Sequence, residues 1–584
     1  MDYLLKKYCP RIEFSSYEDF FENFSIEIPP SFNFAYDVVD EWASVEPEKR
    51  ALIWCDDAGE EKLLTFTDIS LLSNRLANAL SEQGIGKGDI VLLLLRQRWE
   101  YWICAVALNK IGAIIIPATT QLTTKDIVYR ANAADIKAVI ALDNDYVLAQ
   151  VDAALPASPS ITLRIAVGAV GAGTVGAVDA GITGGAGIAG ASGNREGWLS
   201  WERLVDKASE LWQRPTGEVA TSNDDIMLIY FTSGTTGLPK MCCHNFVHPL
   251  GHILTARYWQ QVRENKPHCS VTDSGWAKFG WGKIYGQWIA GATIFAYDTL
   301  KFDPVRLLER IAQYQVTTFC VPPTMYRFML QEDLSHIDLS CVETFATAGE
   351  PLNAEISRQW ERLTGKQIRE GFGQSEGPVL LATFPWVKPR PGSMGKPSPL
   401  LNICLLDDVG IPVATGDEGN ICVTGLRQAY PPGLFVGYYR DPARTAAAVG
   451  GQYYNLNDVA WCDPDGYYTF VGRSDDVIKC SGYRISPFEV ESVLIEHPAV
   501  VECAVTSAPD DVRGNVVKAT IILARGYKPS EDLKKELQEH VKATTAPYKY
   551  PRIVEFLDEL PKTIGGKIKR AKIRTEDEGG IWQD

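Results

Sequence analysis

Leu71-Leu-Ser-Asn-Arg-Leu-Ala-Asn-Ala-Leu-Ser-Glu82, Ile90-Val-Leu-Leu-Leu-Leu95, Tyr101-Trp-Ile-Cys-Ala-Val-Ala-Leu-Asn-Lys110 and Ile114-Ile-Ile-Pro117 follow one another in the chain, and this stretch decides the fold class. Its first and third segments read as helices. The second and fourth are short, unbroken apolar runs. A strand in a parallel sheet is covered on both faces, so it loses the in-out alternation of a half-exposed strand. The same pattern returns at residues 137–142, 226–231, 317–322 and 344–348. An α/β architecture with parallel sheets follows.

The chain has 584 residues, 46% of them hydrophobic and 22% charged. Both fractions are those of a globular protein, and the length exceeds what one core organises, so two or more domains are expected. A net charge of -16 excludes nucleic acid as the main partner, because phosphate backbones require clustered Lys and Arg. No strongly apolar run reaches the roughly 18 residues of a spanning helix. The opening residues hold Lys6 and Lys7 but no apolar core, and Asp2 and Glu13 argue against a transit peptide. The 13 cysteines form no CxxC pairs and read as reduced thiols, which predicts a cytoplasmic protein.

Near Gly472 the character changes. A charged stretch gives way to short α and β patterns at residues 487–497, 500–507, 517–523 and 530–544. The expected division is an N-terminal domain over 1–472, a hinge over 473–476 and a smaller domain over 477–584. Residues 165–194 are nearly all small, with a formal GxGxxG at Gly171, Gly173 and Gly176. Glycine is so frequent there that the spacing follows from composition, and no orderly helix comes after it. The segment reads as a flexible surface loop rather than a dinucleotide site.

Chemistry concentrates in Tyr230-Phe-Thr-Ser-Gly-Thr-Thr-Gly-Leu-Pro-Lys240. An apolar strand runs into hydroxyls and glycines that end in a lysine. Glycines let backbone N–H groups approach phosphate oxygens, hydroxyls donate, and the lysine adds positive charge. The pattern is not the GxxxxGK[ST] phosphate loop.

These residues resemble the phosphate loop of the adenylate-forming superfamily, which includes acyl-CoA synthetases, luciferases and peptide-synthetase adenylation domains. Further motifs follow in the family's order over roughly residues 37–574. Glu370-Gly-Phe-Gly-Gln-Ser-Glu376 is similar to the aromatic-Gly-x-[Thr/Ser]-Glu segment. The resemblance implies that Gly371, Phe372, Gly373, Gln374 and Ser375 hold the nucleotide, with Phe372 on adenine and Glu376 on Mg²⁺. Gly349-Glu350-Pro351 resembles the adenine wall. Tyr454-Asn-Leu-Asn-Asp458 stands where the family has Tyr-x-Thr-Gly-Asp; Asp458 keeps the ribose role, while Leu456 and Asn457 depart from the pattern. Gly472-Arg-Ser-Asp-Asp-Val-Ile-Lys-Cys-Ser-Gly-Tyr-Arg-Ile485 matches the hinge segment, implying Arg473 on ribose, Asp475 as pivot, Gly482 and Tyr483 along the CoA path, and Arg484 on phosphate. Leu560-Pro-Lys-Thr-Ile-Gly-Gly-Lys-Ile-Lys-Arg570 resembles the terminal catalytic loop, with Lys567 as its lysine.

The implied fold is a large adenylate-forming domain with parallel α/β subdomains and a small mobile α+β domain. The implied activity is an AMP-forming acyl-CoA synthetase: ATP activates a carboxylic acid as acyl-AMP, and CoA takes the acyl group. Thr232, Ser233, Gly234, Thr235, Thr236, Gly237 and Lys240 would cradle pyrophosphate. Asp273-Ser-Gly-Trp-Ala-Lys-Phe-Gly-Trp-Gly-Lys-Ile-Tyr285 resembles the acyl pocket of medium-chain acyl-CoA synthetases. Trp276 and Trp281 as its walls suit a short, branched, medium-chain or aryl acid. Loading of a carrier-protein thiol is the alternative, and a non-catalytic ligand sensor is a third class, against which Glu376 and Lys567 weigh. A homodimer is compatible with the sequence.

Overall fold

The computed structural model describes residues 2–168, 195–234, 237–480, 483–510, 513–562, 568–577 and 579. Ile90–Leu94 runs parallel to Ile114–Pro117 on one side and Ala138–Leu142 on the other. Every residue of the strand, and of the helix Glu100–Ile111, is buried. Two-sided burial is why neither segment shows polar alternation. Helix Phe66–Glu82 starts earlier than its apolar stripe, because Thr65 and Asp68 close a reciprocal capping box at its start.

These strands belong to an eight-stranded sheet that continues, on one side, into the antiparallel pair Ile226–Gly234 and Gly237–Asn245, with Gly437–Tyr438 as the edge strand. A nine-stranded sheet has a parallel centre of Thr293–Asp298, Pro267–Ser270, Thr318–Cys320, Thr344–Ala348 and Ile368–Phe372. Arg50–Asp56 adds one more parallel strand; beyond it Glu61–Thr65 is an antiparallel edge, and the other side ends in the antiparallel Leu381–Ala382 and Lys396–Pro397. A third, four-stranded antiparallel sheet joins Asn402–Leu406, Glu418–Thr424, Tyr453–Cys462 and Tyr468–Arg473. The two large sheets share one continuous apolar core with the N-terminal helix Tyr3–Tyr8, whose Leu4, Leu5 and Tyr8 are fully buried.

A smaller α+β body follows. Helices Pro487–Ile495 and Glu531–Thr544 pack with strands Val500–Asp510, Gly514–Leu523 and Ile553–Phe556 around a core that includes Ile485, Val490, Leu494, Val505, Ile521 and Leu537. Of the glycine-rich stretch, Leu163–Val167 is a strand between Ala138–Leu142 and Leu199–Ser200. Gly171, Gly173 and Gly176 lie outside the described residues.

Candidate active site

The phosphate segment is the end of a β-hairpin. Thr232 pairs with Lys240 and Gly234 with Gly237. The lysine therefore sits on the returning strand, on the same face as Thr232 and directly opposite it. Thr232 Oγ1 is buried without a hydrogen-bond partner, which leaves a hydroxyl able to donate to a ligand oxygen. Thr235 and Thr236 lie outside the described residues; Ser233 is described only as strand backbone.

Ile368–Phe372 ends at the carboxyl edge of the parallel strands, where ligands of open α/β sheets bind. The end of the strand and the residues after it pack closely against two tryptophans. A Cβ added at Gly371 would come within 2.3 Å of Trp259, and one at Gly373 within 2.3 Å of Trp281. Those two indoles meet edge to face at 6.4 Å. Phe372, between the glycines, lines the cavity instead, 6.2 Å from Phe470.

Gln374 joins this segment to the antiparallel sheet. Its Nε2 donates to Leu456 O at 2.7 Å and to Asp458 Oδ2 at 2.5 Å, and its Oε1 accepts from Tyr454 Oη at 3.0 Å. Asp458 is buried and pairs in register with Arg473, whose Nη1 lies 3.7 Å from Oδ1. Arg473 Nε also lies 3.7 Å from Asp475 Oδ1.

Glu376 is buried and accepts from Tyr438 Oη at 3.1 Å. Burial pushes its carboxyl above the usual carboxylate range, while the charge of Lys240 pulls the other way. The Lys240 ammonium stands 5.6 Å from the Tyr438 ring centre. Behind them His244 Nε2 donates to Ser375 O at 2.7 Å, fixing the Glu370–Glu376 segment to the hairpin. Tyr438 and His244 escaped the sequence reading because no local pattern links them to these motifs. Glu370 was also missed as a site group: burial pushes its carboxyl up to about 8, and it lines the cavity. A carboxyl followed by a glycine and an aromatic was the available signal.

A cavity of about 530 Å³ unites these groups. Thr232, Lys240, Phe372, Glu376, Asp458 and Arg473 line it, as do Gly349, Glu350 and Pro351. Glu350 is held by Thr324 Oγ1 at 2.7 Å. Trp276 lines it too, whereas Trp281 is only 5% exposed and packs in the core beneath Gly373. The small domain closes the cavity with Phe488, Glu491, Glu502, Cys503, Ile568 and Arg570. Tyr483 and Arg484 are described only as backbone of a short strand paired with Ile478–Cys480. Gly482 and Lys567 lie outside the described residues.

Residues 39–439 match the family model of the AMP-binding enzyme, and residues 489–567 that of the AMP-binding enzyme C-terminal domain. The mouse acyl-coenzyme A synthetase ACSM3, mitochondrial, is 40% identical over 573 residues, covering 97% of this chain and 94% of the relative. The human acyl-coenzyme A synthetase ACSM4, mitochondrial, is 39% identical over 560 residues, covering 94% and 91%. Among solved structures, the anthranilate CoA ligase AuaEII in complex with anthranoyl-AMP superposes with a TM-score of 0.82 at 28% identity, over 94% of this chain and 98% of that one.

The relatives' names overturn the cytoplasmic expectation, since both are designated mitochondrial. The reason lies in the cysteines. All 13 are free and most are buried, and a thiol sealed in a core stays unpaired through packing, whatever the compartment. Two family models in the expected order, and relatives aligned over nearly the whole chain, lead to one statement: this chain belongs to the AMP-binding enzyme family.

Proposed function

We propose that this chain is an AMP-forming acyl-CoA synthetase acting on a short, branched, medium-chain or aryl carboxylic acid. The observation that carries the reading is one cavity that gathers Thr232, Lys240, Phe372, Glu376 and Asp458 from distant parts of the chain. A carboxylate is a poor electrophile. Its oxygen attacks the α-phosphorus of ATP, the bond to pyrophosphate breaks, and the resulting acyl-AMP carries a good leaving group. The CoA thiol, losing its proton, then attacks the acyl carbon and AMP departs. Positioning and charge stabilisation are the protein's share of such displacements.

Thr232 and Lys240 face the phosphates, Phe372 lies against adenine, and Asp458 accepts the ribose hydroxyls with Arg473 beside it. Lys567 stabilises charge between the acid and the α-phosphate. The small domain turns about Asp475 to bring Gly482 and Tyr483 forward for CoA, with Arg484 on phosphate. Mg²⁺ fits the donors present. Such an ion takes one or two protein oxygens and completes its shell with water and phosphate. Glu376, whose buried carboxylate needs a cation, and the unpartnered Thr232 hydroxyl are suitable. When bound, Mg²⁺ neutralises triphosphate charge.

The acid class is supported by Trp276 at the cavity wall and by the likeness to a ligase of anthranilate, an aryl acid. Incubation with ATP, Mg²⁺, CoA and butyrate, 2-methylbutyrate, octanoate or benzoate should yield AMP and acyl-CoA. Pyrophosphate release without acyl-CoA would favour a carrier-protein acceptor; release with none of the acids would overturn the reading.

A further inference from the structure

Lys562 and Ile568, which flank residues 563–567, pair in antiparallel register, and Lys569 N donates to Pro561 O at 2.8 Å. Each flank is pinned by a carboxylate of the small domain. On the far side Arg570 grips Glu491, with Nη2 2.8 Å from both carboxylate oxygens. Glu491 also accepts from Val505 N at 2.8 Å, so this pair is internal to the small domain.

The near flank differs. Lys562 Nζ donates to Glu502 Oε2 at 2.8 Å, while Glu502 Oε1 lies 3.8 Å from Arg327 Nη2. Arg327 belongs to the large domain, on the helix Pro323–Met329 that follows the central strand Thr318–Cys320. The side chains of Arg327 and Glu502 are 16% and 14% exposed, so water screens the pair less than a surface pair. Arg327 Nε is buried without a hydrogen-bond partner. Both residues line the cavity.

We propose that Glu502 is a positioning residue for the adenylation half-reaction: through Arg327 it ties the flank of the Lys567 segment to the large domain in the pose that forms acyl-AMP. The inference rests on the role of Lys567 proposed above. Glu491–Arg570 travels with the small domain when it turns. Glu502–Arg327 spans the two bodies, so the turn that brings Gly482 forward must break it. A bond made in one pose only biases the equilibrium between poses by its own free energy. Weakening it therefore slows the first half-reaction and spares the second.

The test compares Glu502→Gln, Glu502→Asp, Arg327→Gln and the Glu502→Gln/Arg327→Gln double variant with Lys567→Ala in the full-length protein. Pyrophosphate formation is measured for the first half-reaction and acyl-CoA formation from supplied acyl-AMP for the second. Loss of one coupling contact lowers pyrophosphate formation about tenfold, equally in Glu502→Gln, Arg327→Gln and the double variant, with Glu502→Asp in between. Acyl-CoA formation is unchanged or faster, and the melting temperature stays near wild type. Equal loss in both half-reactions, or additive losses in the double variant, would overturn the proposal. So would wild-type adenylation by Glu502→Gln alongside an inactive Lys567→Ala. Wild-type adenylation by Lys567→Ala would remove the parent reading and this inference with it.

Discussion

Gly373→Ala tests whether the nucleotide segment is held by its tryptophan floor. The added Cβ would stand 2.3 Å from Trp281 Cη2, 3.0 Å from Cζ2 and 2.9 Å from Pro378 O, whereas ordinary contact begins at 3.4 Å. The indole, or the segment itself, must retreat by about 1 Å. Trp281 is 5% exposed and wedged against Trp259, so it has little room. Overpacking of this kind costs about 1–3 kcal/mol. Part of the strain will be relieved by lifting Phe372 and Gln374, which raises KM for ATP. Trp281→Phe removes the atoms that collide. Alone it leaves a void and destabilises, but combined with Gly373→Ala it should restore both the denaturation midpoint and KM toward wild type. Urea unfolding and pyrophosphate exchange on the two single variants and the double variant measure this. A favourable coupling of about 1 kcal/mol or more is expected for residues in direct contact. Strictly additive effects would refute the floor.

Trp276→Ala should shift acid preference toward longer or bulkier acids, by about 1–3 kcal/mol per methylene-sized contact. An unchanged acid profile would place the pocket elsewhere. Acid should destabilise the fold through its buried imidazoles. Burial holds His244 down at about 4 and His252 at about 3, so as pH falls the unfolded chain takes up protons first. Their contribution is complete above about pH 6.5 and is lost on the way down to about pH 4 for His244 and about pH 3 for His252, about 2 kcal/mol for each by pH 5. A melting temperature constant from pH 7.5 to 5 would contradict this. Asn457→Ala should raise KM for ATP while Asn457→Gly leaves it near wild type, and equal behaviour of the two would refute a role for the left-handed backbone of Asn457.

Strands were legible where burial is two-sided. Ile114–Pro117 and Thr344–Ala348 fall on the residues the apolar runs marked, because both faces of each strand are buried; the two threonines of the second are buried too, and Thr347 Oγ1 donates to Val321 O. The antiparallel sheet was not legible. Tyr453–Cys462 is paired irregularly, with a register shift between Val459 and Ala460 and no clean alternation of buried and exposed residues. The phosphate hairpin was read as strand and loop, because its tip is rich in glycine and hydroxyls and resembles any turn until Lys240 is seen opposite Thr232. Trp276 and Trp281 could not be told apart by type. The helix Ala277–Lys283 begins between them, leaving Trp276 at the cavity and turning Trp281 into the core. Tyr438, His244, Arg327 and Glu502 were invisible for a plainer reason. Each meets its partner only across the fold, and one chain without its contacts holds no trace of such a pairing.

The departure at Leu456 and Asn457 shows what the family motif requires here and what it does not. Where the motif that this segment resembles has Thr-Gly, the present chain has an apolar residue and an amide. Asn457 sits at φ 59, the left-handed region that glycine occupies freely and that asparagine tolerates better than most other residues. The motif's glycine thus supplies a backbone bend before Asp458, and asparagine can supply the same bend. Alanine there would cost roughly 1–2 kcal/mol of strain, relieved by moving Asp458. Leu456 is buried, and its contribution is its carbonyl, which accepts from Gln374 Nε2. That side chain also binds Asp458 and Tyr454. In the proposed site the threonine hydroxyl is therefore dispensable, because Gln374 reaches across and fixes the Asp458 carboxylate directly. If Phe372 and Asp458 hold adenine and ribose as proposed, recognition of the two is one hydrogen-bonded unit. A substitution at Gln374 should then disturb both ends of the nucleoside, although its own side chain is engaged with Leu456, Asp458 and Tyr454.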